Sequence, residues 1–308
     1  MKSIPKVSII IPNYNHARYL KQRVDSILDQ DFQDFEIIIL DDCSLDDSRA
    51  LINSYSKDEK IKKCIFNSNN SGSTFKQWKK GIQSARGEYI CIAESDDFCS
   101  SNFVSVLVRV LDKNQDVGVA YCRSNVVDED STYLYDEGIW FDVLDAKRWK
   151  NSFFNNGLEH IKSYLQDFNT IPNASAVIFR KNLFNLKDIP VQFKYMGDWY
   201  FWILLLSRSN VYYHSTPLNY FRSSLQTTRS EQSELKTIKS FQEMFMIKRL
   251  LYRIQVNDFT RLALEKSLKE LVNHLSFFQL IFSIFFWKEC VMKHPFMVYS
   301  SFKHKYLQ

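Results

Sequence analysis

The chain of 308 residues has few residues that break regular structure, with only 7 glycines and 6 prolines. It also contains 25 phenylalanines and 16 tyrosines, and this composition argues against long disordered or low-complexity segments. Hydrophobic residues make up 45% of the chain, which is enough for a sizeable core without disulfide or metal crosslinks. We therefore expect one large domain or a domain with an appendage.

The six cysteines never occur as a CxxC pair, and several lie in apolar, strand-like runs where a free thiol behaves as a small hydrophobic group. A reducing compartment explains this usage more simply than a disulfide framework does. The N-terminus, MKSIPK, leads into a short β-branched stretch and not into the long apolar run of a signal peptide. We expect a cytoplasmic protein.

Several motifs of common enzyme classes are absent. The turn after the first apolar run is PNYN and not GxGxxG, which disfavours a dinucleotide dehydrogenase, and neither GxxxxGK[ST] nor HExxH occurs. The net charge of +5 is concentrated near the C-terminus, since residues 236–308 contain 12 Lys and Arg against 5 Asp and Glu. This basic excess can face anionic lipid or simply solubilise helices. We expect no nucleic-acid partner.

Short β-branched runs alternate with helix-like segments in the first half of the chain. The strand-like runs are residues 7–11, 36–40, 62–66, 89–93 and 117–122, with later ones at 175–179 and 211–214. This order predicts a doubly wound α/β fold around a mostly parallel sheet, which binds ligands at the carboxyl ends of its strands. The pattern after residue 230 is helical. We predict a ligand-binding and catalytic domain over residues 1–230 and a helical C-terminal extension over residues 231–308.

An acidic cluster follows the predicted strand at residues 89–93. Glu94, Asp96 and Asp97 lie close together, and such carboxylates repel one another unless a cation or hydrogen-bond donors lie among them. Oxygen ligands of this kind suit Mg²⁺ or Mn²⁺, which take the rest of their coordination shell from water and substrate phosphates. The alternative is a solvated acidic loop that caps the next helix, and the spacing alone leaves both interpretations open.

Two other strand-end loops pose the same choice. Asp41 and Asp42 follow the second strand, where a carboxylate can accept a hydrogen bond from a base N–H or a ribose hydroxyl, or can form a turn and helix cap. Tyr14, after the first strand, can stack on a base or pack against the protein.

Asp198 and two arginines complete the candidates. Asp198 precedes an apolar helical run, so it is either an N-cap or a general base at the rim of the cleft. Arg222 and Arg229 can contact a diphosphate, because a guanidinium group matches phosphate oxygens, or can be ordinary surface arginines.

Six segments in this order form a recognisable set. They are VSIIIPNYN, LDDCSLDDS, NNSGSTFKQWKKGIQSARGEYICIAESDDF, NASAVIFRK, GDWYFWILLL and LNYFR. Over roughly residues 5–229 the chain thus resembles the inverting glycosyltransferases of family 2, which have the GT-A fold. The resemblance implies a Rossmann-like sheet flanked by helices. It also implies transfer of a sugar from a nucleotide-sugar donor, first of all a UDP-sugar, to an acceptor hydroxyl with inversion.

The resemblance also implies donor-binding residues at matching positions. Pro12, Tyr14 and Asp41 match the nucleotide-contacting loops, with Asp41 as the partner of uracil or ribose and Asp42 beside it. Gly72 lies in an NxG turn that would let the backbone approach the donor.

The same resemblance implies a metal site and a base. Asp97 and the adjacent Asp96 match the element that binds Mn²⁺ or Mg²⁺, with Asp96 also as a sugar or ribose contact, and Asp198 matches the catalytic base. Two positions depart from the family pattern, because many relatives have Asp in place of Glu94 and a histidine in place of Ser224. Ser224 is the main argument for the alternative function, a catalytically silent nucleotide-sugar-binding module.

The C-terminal extension contains an aromatic and aliphatic stretch at residues 271–287. Polar residues interrupt it, so we expect an interfacial or packed helix and not a membrane span. The basic residues that follow favour docking on an anionic inner membrane, with homodimerisation or intramolecular packing as alternatives. Membrane docking would suit a lipid-linked or glycan acceptor in surface-polysaccharide synthesis, which the resemblance implies.

Overall fold

The computed structural model of the chain describes residues 4–223, 233–254 and 259–274. Within them the predicted β-branched runs form strands of one sheet, which three short strands without β-branched residues extend. The strands are β1 (Val7–Asn13), β2 (Phe35–Asp41), β3 (Ile61–Phe66), β4 (Tyr89–Ile92), β5 (Phe98–Cys99), β6 (Val117–Val127), β7 (Tyr133–Asp136), β8 (Phe153–Asn155), β9 (Val177–Arg180) and β10 (Asn210–Arg222).

Helices connect most of these strands. They are α1 (Ala17–Leu28), α2 (Ser48–Tyr55), α3 (Thr74–Ser84), α4 (Phe103–Lys113), α5 (Asp142–Asp145), α6 (Gly157–His160), α7 (Gly197–Leu206), α8 (Glu234–Arg253) and α9 (Phe259–His274). Among the described residues, no helix is both long and apolar enough to cross a membrane.

The strand order is β3-β2-β1-β4-β9-β6-β10-β5, with β7 added beside β6 and β8 beside β10. The first four strands of this order are parallel, as the alternation of strands and helices predicts. Strand β9 then runs antiparallel to both β4 and β6, while β10 is parallel to β6. The α/β fold is confirmed, but the sheet is mixed and not mostly parallel, because β5, β7 and β8 also pair antiparallel with their neighbours. No local pattern indicates the direction of β9.

Both faces of the sheet are covered by helices. Because successive residues of a strand point to opposite sides, neighbouring residues of one strand join different cores. Ile9 and Ile11 of β1 join a core with α1 and α4, whereas Ile10 joins a core with α3 and α7. Helix α8 packs into this second core through Ile247 and Leu250. The first helix of the predicted extension therefore shares the hydrophobic core of the sheet domain.

The five cysteines in the described part of the chain are all free thiols, and they are Cys43, Cys64, Cys91, Cys99 and Cys122. Cys290 lies outside the described residues, as do residues 275–287 of the aromatic stretch and the basic residues that follow it. The proposed membrane or dimer contact there stays a prediction.

Glu137 is a carboxyl group buried in the core beside β6. Only 1% of its surface is exposed, and its neighbour Ser124 donates a hydrogen bond to it. Burial raises the pKa of Glu137 to about 8 from an ordinary value of 4.5. The folded protein thus keeps a proton that the unfolded chain releases in weak acid.

Glu137→Gln should flatten the pH dependence of stability. As the pH rises from about 5 to 8, ionisation of Glu137 in the unfolded chain favours unfolding of the wild type, so its stability falls. Neutral Gln removes this linkage. The free energy of unfolding of the variant, relative to that of wild type, should therefore rise by at least ~1 kcal/mol between pH 5 and pH 8, because a pKa shift of one unit corresponds to about that much free energy. Urea unfolding at both pH values measures the difference. The exposed control Glu59→Gln should behave like wild type, and an equal slope for Glu137→Gln would contradict the prediction.

Candidate active site at the ends of the parallel strands

The carboxyl ends of β1, β2 and β4 lie at one edge of the sheet, because these strands are parallel neighbours. Asn13 at the end of β1 is in register with Asp41 at the end of β2. Pro12 is buried within β1, whereas Tyr14, just beyond the strand, is 44% exposed and open to a ligand. The loop of residues 94–97 after β4 completes this rim.

Asp41 joins the loop after β1 to the loop after β2. It is fully buried, and its Oδ1 accepts a hydrogen bond from Nδ2 of Asn13 at 3.2 Å. Its Oδ2 accepts from the backbone N–H of Ser44 at 3.1 Å and from Nε of Arg49 at 2.9 Å, which raises the pKa of Arg49 above its ordinary value. Asp41 thus organises both loops, and its contact with a base or ribose stays a prediction.

Asp42 holds the loop after β3. Its Oδ1 accepts hydrogen bonds from Nδ2 of Asn67 at 2.6 Å and from the backbone N–H of Ser71 at 2.9 Å. Nε2 of Gln77 also donates to Oδ1 at 2.9 Å, and the Ser71 hydroxyl donates to Oδ2 at 2.7 Å. The buried carboxylate therefore shapes the turn that contains Gly72.

Three neighbouring loops each contain a residue in the left-handed backbone region. Asn15, Cys43 and Gly72 have φ angles of 54°, 66° and 65°, which only glycine adopts without strain. A Cβ atom added to Gly72 would meet only Oδ1 of Asn70, at 3.9 Å, so the space beside its backbone is open. Strain at non-glycine residues tends to accumulate at functional sites, which supports a binding role for this edge.

The loop after β4 contains buried negative charge. Asp97 is 2% exposed, and burial, with the charge of Asp96 beside it, raises its pKa to about 6. Oε1 of Glu94 accepts a hydrogen bond from Nε1 of Trp78 at 2.8 Å, and burial raises the pKa of Glu94 to about 8. The protein alone therefore does not fully compensate the negative charge of this loop.

This donor set fits a hard divalent cation. Positive charge at Asp96 and Asp97 would favour the ionised form of Asp97 that burial disfavours. The described residues contain no group of three or more His, Cys, Asp or Glu side chains that could hold a metal ion. The protein would thus supply the aspartate pair, and a diphosphate and water would supply the remaining oxygens, as Mg²⁺ and Mn²⁺ commonly require.

A buried arginine, Arg23 of α1, supports this loop from behind. It is fully buried, and its Nε donates to the carbonyl oxygen of Glu94 at 2.9 Å. Its charge opposes the effect of burial on the pKa of Asp97. Its terminal nitrogens have no hydrogen-bond partner among the described residues. Its position, three residues after Leu20 and four before Ile27, lies on the buried face of α1, where a charged residue is unusual.

Arg222, the last residue of β10, is anchored inside the protein. All five of its N–H donors are used at distances between 2.7 and 3.0 Å. The acceptors are the carbonyl oxygens of Asp96, Asp128 and Glu129 and the side chains of Gln22 and Ser131. The backbone N–H of Arg222 also donates to Oδ1 of Asp97 at 2.9 Å.

The position of Arg222 differs from the diphosphate contact that the sequence predicts. The residue is 1% exposed, and no N–H of its guanidinium group remains for a phosphate oxygen. The reason is that the loop after β6 supplies three of the acceptors, and this contact spans more than 90 residues of sequence. Arg222 anchors the acidic loop in this structure.

Asp198 is the second residue of α7. Nδ2 of Asn169 donates to its Oδ2 at 3.2 Å, and the backbone N–H of Ile171 donates to Oδ1 of Asn169 at 3.2 Å. The bond from Ile171 fixes which end of the Asn169 amide faces Asp198. Met196, the N-cap of α7, makes no side-chain cap hydrogen bond.

Packing between α3 and α7 connects Gly197, the neighbour of Asp198, with the acidic loop. Gly197 lies so close to the ring of Phe75 that an added Cβ would be 2.5 Å from it. Phe75 contacts Trp78 edge to face at 5.1 Å between ring centroids, and Trp78 donates to Glu94. A short chain of contacts thus links the start of α7 to residues 94–97.

Residues 169–175 contain further site residues that the sequence reasoning missed. Asn169 contacts Asp198, and the Ser175 hydroxyl binds the backbone N–H of Glu94 at 3.1 Å and the side chain of Asp97. The NASA sequence at residues 173–176 indicates only the family resemblance, and no local periodicity indicates these contacts. Arg229 and Ser224 lie outside the described residues.

Sequence comparison identifies related proteins. Residues 8–182, more than half of the chain, match the model of the family described as "Glycosyl transferase family 2". An uncharacterized glycosyltransferase of Rickettsia typhi is 29% identical over 258 residues, which cover 79% of this chain and 76% of that protein.

Solved structures show the same architecture. S. aureus TarS 1-349 in complex with UDP-GlcNAc has a TM-score of 0.64 at 19% identity, covering 97% of this chain and 80% of that chain. Mannosyltransferase PcManGT from Pyrobaculum calidifontis, in complex with GDP-Man and Mn²⁺, has a TM-score of 0.54 at 13% identity, covering 89% and 74%. At these identities the likeness concerns the fold, and the predicted GT-A fold is confirmed.

Arg222→Lys should destabilise the protein even without ligand. Lysine has three donors in place of five and cannot reach all the acceptors, so buried carbonyl oxygens lose their partners, at a cost of roughly 2–4 kcal/mol. Thermal unfolding of the ligand-free protein measures this loss. The control Arg18→Lys, which changes an exposed arginine paired with Glu129 and Asp130, should have little effect. An unchanged melting temperature together with weaker binding of UDP would instead support the diphosphate contact.

Proposed function

The chain belongs to glycosyl transferase family 2, and from this premise we propose that it transfers a sugar from a nucleotide-sugar donor to an acceptor hydroxyl with inversion. The observation that carries the proposal is the position of Asp198 at the start of α7. Contacts through Gly197, Phe75 and Trp78 link it to the loop that contains Asp96 and Asp97. Such a transfer requires a base and a diphosphate-binding element within one site.

The loops after β1, β2 and β3 would bind the nucleotide. The exposed ring of Tyr14 can stack on the base, and Pro12 and Asp41 would lie at the strand ends beside it. Asp42 holds the turn around Gly72, where open space lets the donor approach the backbone. A UDP-sugar is the first donor to test, since S. aureus TarS, which has the same fold, was solved in complex with UDP-GlcNAc.

Asp97 and Asp96 would hold Mn²⁺ or Mg²⁺ together with the diphosphate. When bound, the cation would neutralise negative charge on the departing nucleoside diphosphate. The backbone N–H of Arg222 keeps Asp97 oriented, and Arg23 keeps the loop in place through the carbonyl oxygen of Glu94. PcManGT, which has the same fold, was solved with Mn²⁺. Arg229 is a further candidate for diphosphate contact.

Asp198 would act as the general base. Its carboxylate would accept the acceptor hydroxyl proton while the acceptor oxygen attacks the anomeric carbon from the face opposite the diphosphate. The bond from the anomeric carbon to the diphosphate oxygen breaks in the same displacement, so the configuration inverts. Asn169 holds Oδ2 of Asp198 in a defined orientation. No protein nucleophile is required.

For the acceptor we propose a glycan or a lipid-linked saccharide at the cytoplasmic face of a membrane. This proposal rests on the family resemblance and on the basic C-terminal residues. The alternative, a silent nucleotide-sugar-binding module, rests on Ser224 in the place of a histidine. Product analysis by mass spectrometry with a panel of nucleotide sugars and Mn²⁺ separates the two.

Asp97→Asn should weaken binding of UDP in the presence of Mn²⁺ by at least about tenfold, because a neutral amide is a poor ligand for a hard cation. The melting temperature of the ligand-free protein should not fall, because Asn keeps the acceptor for Arg222 and removes a carboxylate that burial makes costly to ionise. Calorimetry with Mn²⁺ measures the affinity. Asp130→Asn, at a side chain that is 78% exposed, is the charge-matched control. Equal affinities in variant and wild type would rule out Asp97 as a ligand.

Asp198→Asn should lower the rate of sugar transfer by about 10²- to 10⁴-fold, the usual contribution of a positioned general base. Asn is nearly isosteric, so Mn²⁺-dependent binding of UDP and the melting temperature should stay close to wild type. Asp34→Asn, at an exposed side chain just before the start of β2, is the control. Transfer at the wild-type rate would exclude Asp198 as the base, and a wild-type protein that binds UDP but transfers no sugar would support the silent module.

A further inference from the structure

Helix α8 places a buried carboxylate beside the chain that leads into α7. Glu243 is 0% exposed. Its Oε1 accepts a hydrogen bond from the backbone N–H of Lys194 at 2.6 Å, and its Oε2 accepts from those of Tyr195 at 3.0 Å and Met196 at 2.8 Å. One carboxylate thus binds three successive backbone N–H groups, and hydrogen bonds to a charged acceptor are stronger than those to a neutral one.

These three residues lead directly into α7. Met196 is the N-cap of α7 and makes no side-chain cap hydrogen bond, and Gly197 and Asp198 follow it directly. Glu243 therefore holds the N-cap residue and the two residues before it from a distant helix, and its negative charge is favourable near a helix N-terminus. Any shift of residues 194–196 would move the Asp198 carboxylate with them.

The same helix also holds the other side of Asp198. Nζ of Lys248 donates to the carbonyl oxygen of Gln166 at 2.7 Å and to Oδ1 of Asp167 at 3.1 Å. The chain continues from there to Asn169, which donates to Asp198. Buried contacts of Ile247 with the core that includes α7 fix α8 in place.

We propose that Glu243 is a positioning residue for Asp198, and hence that the first helix of the C-terminal extension is a functional part of the transfer site. The inference rests on the function proposed above. A displacement of about 1 Å in a catalytic group can lower a rate by about 100-fold. Loss of Glu243 should therefore affect transfer to the acceptor, and it should leave the binding of the nucleotide and Mn²⁺ at residues 94–97 unchanged.

The test is a double-mutant cycle between Glu243 and Asp198. Glu243→Gln keeps one acceptor oxygen and turns the other into an amide donor, so at least one backbone N–H loses its partner. Transfer by this variant should fall about 10- to 100-fold, while the affinity for UDP with Mn²⁺ stays within about twofold of wild type. In the Asp198→Asn background, Glu243→Gln should cause no further loss, because both residues act through one group.

Two further variants complete the experiment. Glu243→Asp keeps the charge but has a shorter side chain, so it should give a smaller loss of the same kind. Glu59→Gln changes an exposed glutamate and should behave like wild type. Hydrogen exchange at the amides of residues 194–196 should be faster in Glu243→Gln and unchanged in Glu59→Gln.

Each contrary outcome has a distinct meaning. Equal losses from Glu243→Gln with and without Asp198, or a parallel loss of UDP affinity, would overturn the positioning role. Failure of both Glu243 variants to fold would also overturn it, because Glu243 would then determine the fold as a whole. Wild-type transfer by Glu243→Gln while Asp198→Asn is inactive would overturn this inference alone. Wild-type transfer by Asp198→Asn would overturn the proposed base, and the inference with it.

Discussion

Three parts of the chain meet at the guanidinium group of Arg222, and the shape of the candidate site depends on this contact. Its five N–H donors join α1, the loop after β4 and the loop after β6, and its own backbone N–H orients Asp97. A planar group with five donors suits this task because it can bind several carbonyl oxygens at fixed angles. The acidic loop is therefore held by β10, by Arg23 of α1 and by Ser175, in addition to the hydrogen bond of its own turn between Asp97 and Glu94.

This support allows negative charge to be buried at the ligand-binding edge. The pKa values of Glu94 and Asp97 are raised because burial disfavours their ionised forms, and the charge of Arg23 offsets this only in part. An edge that keeps uncompensated carboxylates is less stable alone than with a bound cation, since a ligand that binds only the folded state adds stability. The electrostatics thus agree with the proposed binding of a diphosphate and a divalent ion.

The opposite side of the proposed cleft depends on contacts with another part of the chain. Asn169 and Glu243 approach the start of α7 from different directions, one through a side-chain amide and the other through three backbone N–H groups. Glu243 is part of α8, and Asn169 follows the segment that Lys248 of α8 binds. Under the proposed function, α8 and the sheet domain form one working unit, although sequence patterns describe them as a domain and an extension.

The sequence by itself determined the longer strands, the helices between them and the carboxylates at the strand ends, because burial on both faces of a sheet requires continuous β-branched runs. The short strands β5, β7 and β8 contain no such run and were not predicted. Together with the ordered family segments, the sequence also indicated the GT-A fold and the candidates Asp97 and Asp198. Only the tertiary structure decided that β9 is antiparallel, that Arg222 faces inward, and that Asn169 and Glu243 support the proposed base. The physical reason is distance along the chain. The contacts of Asn169, Glu243 and Arg222 with these loops join residues 29, 47 and 125 positions apart, and periodicity within one element has no information about partners so remote.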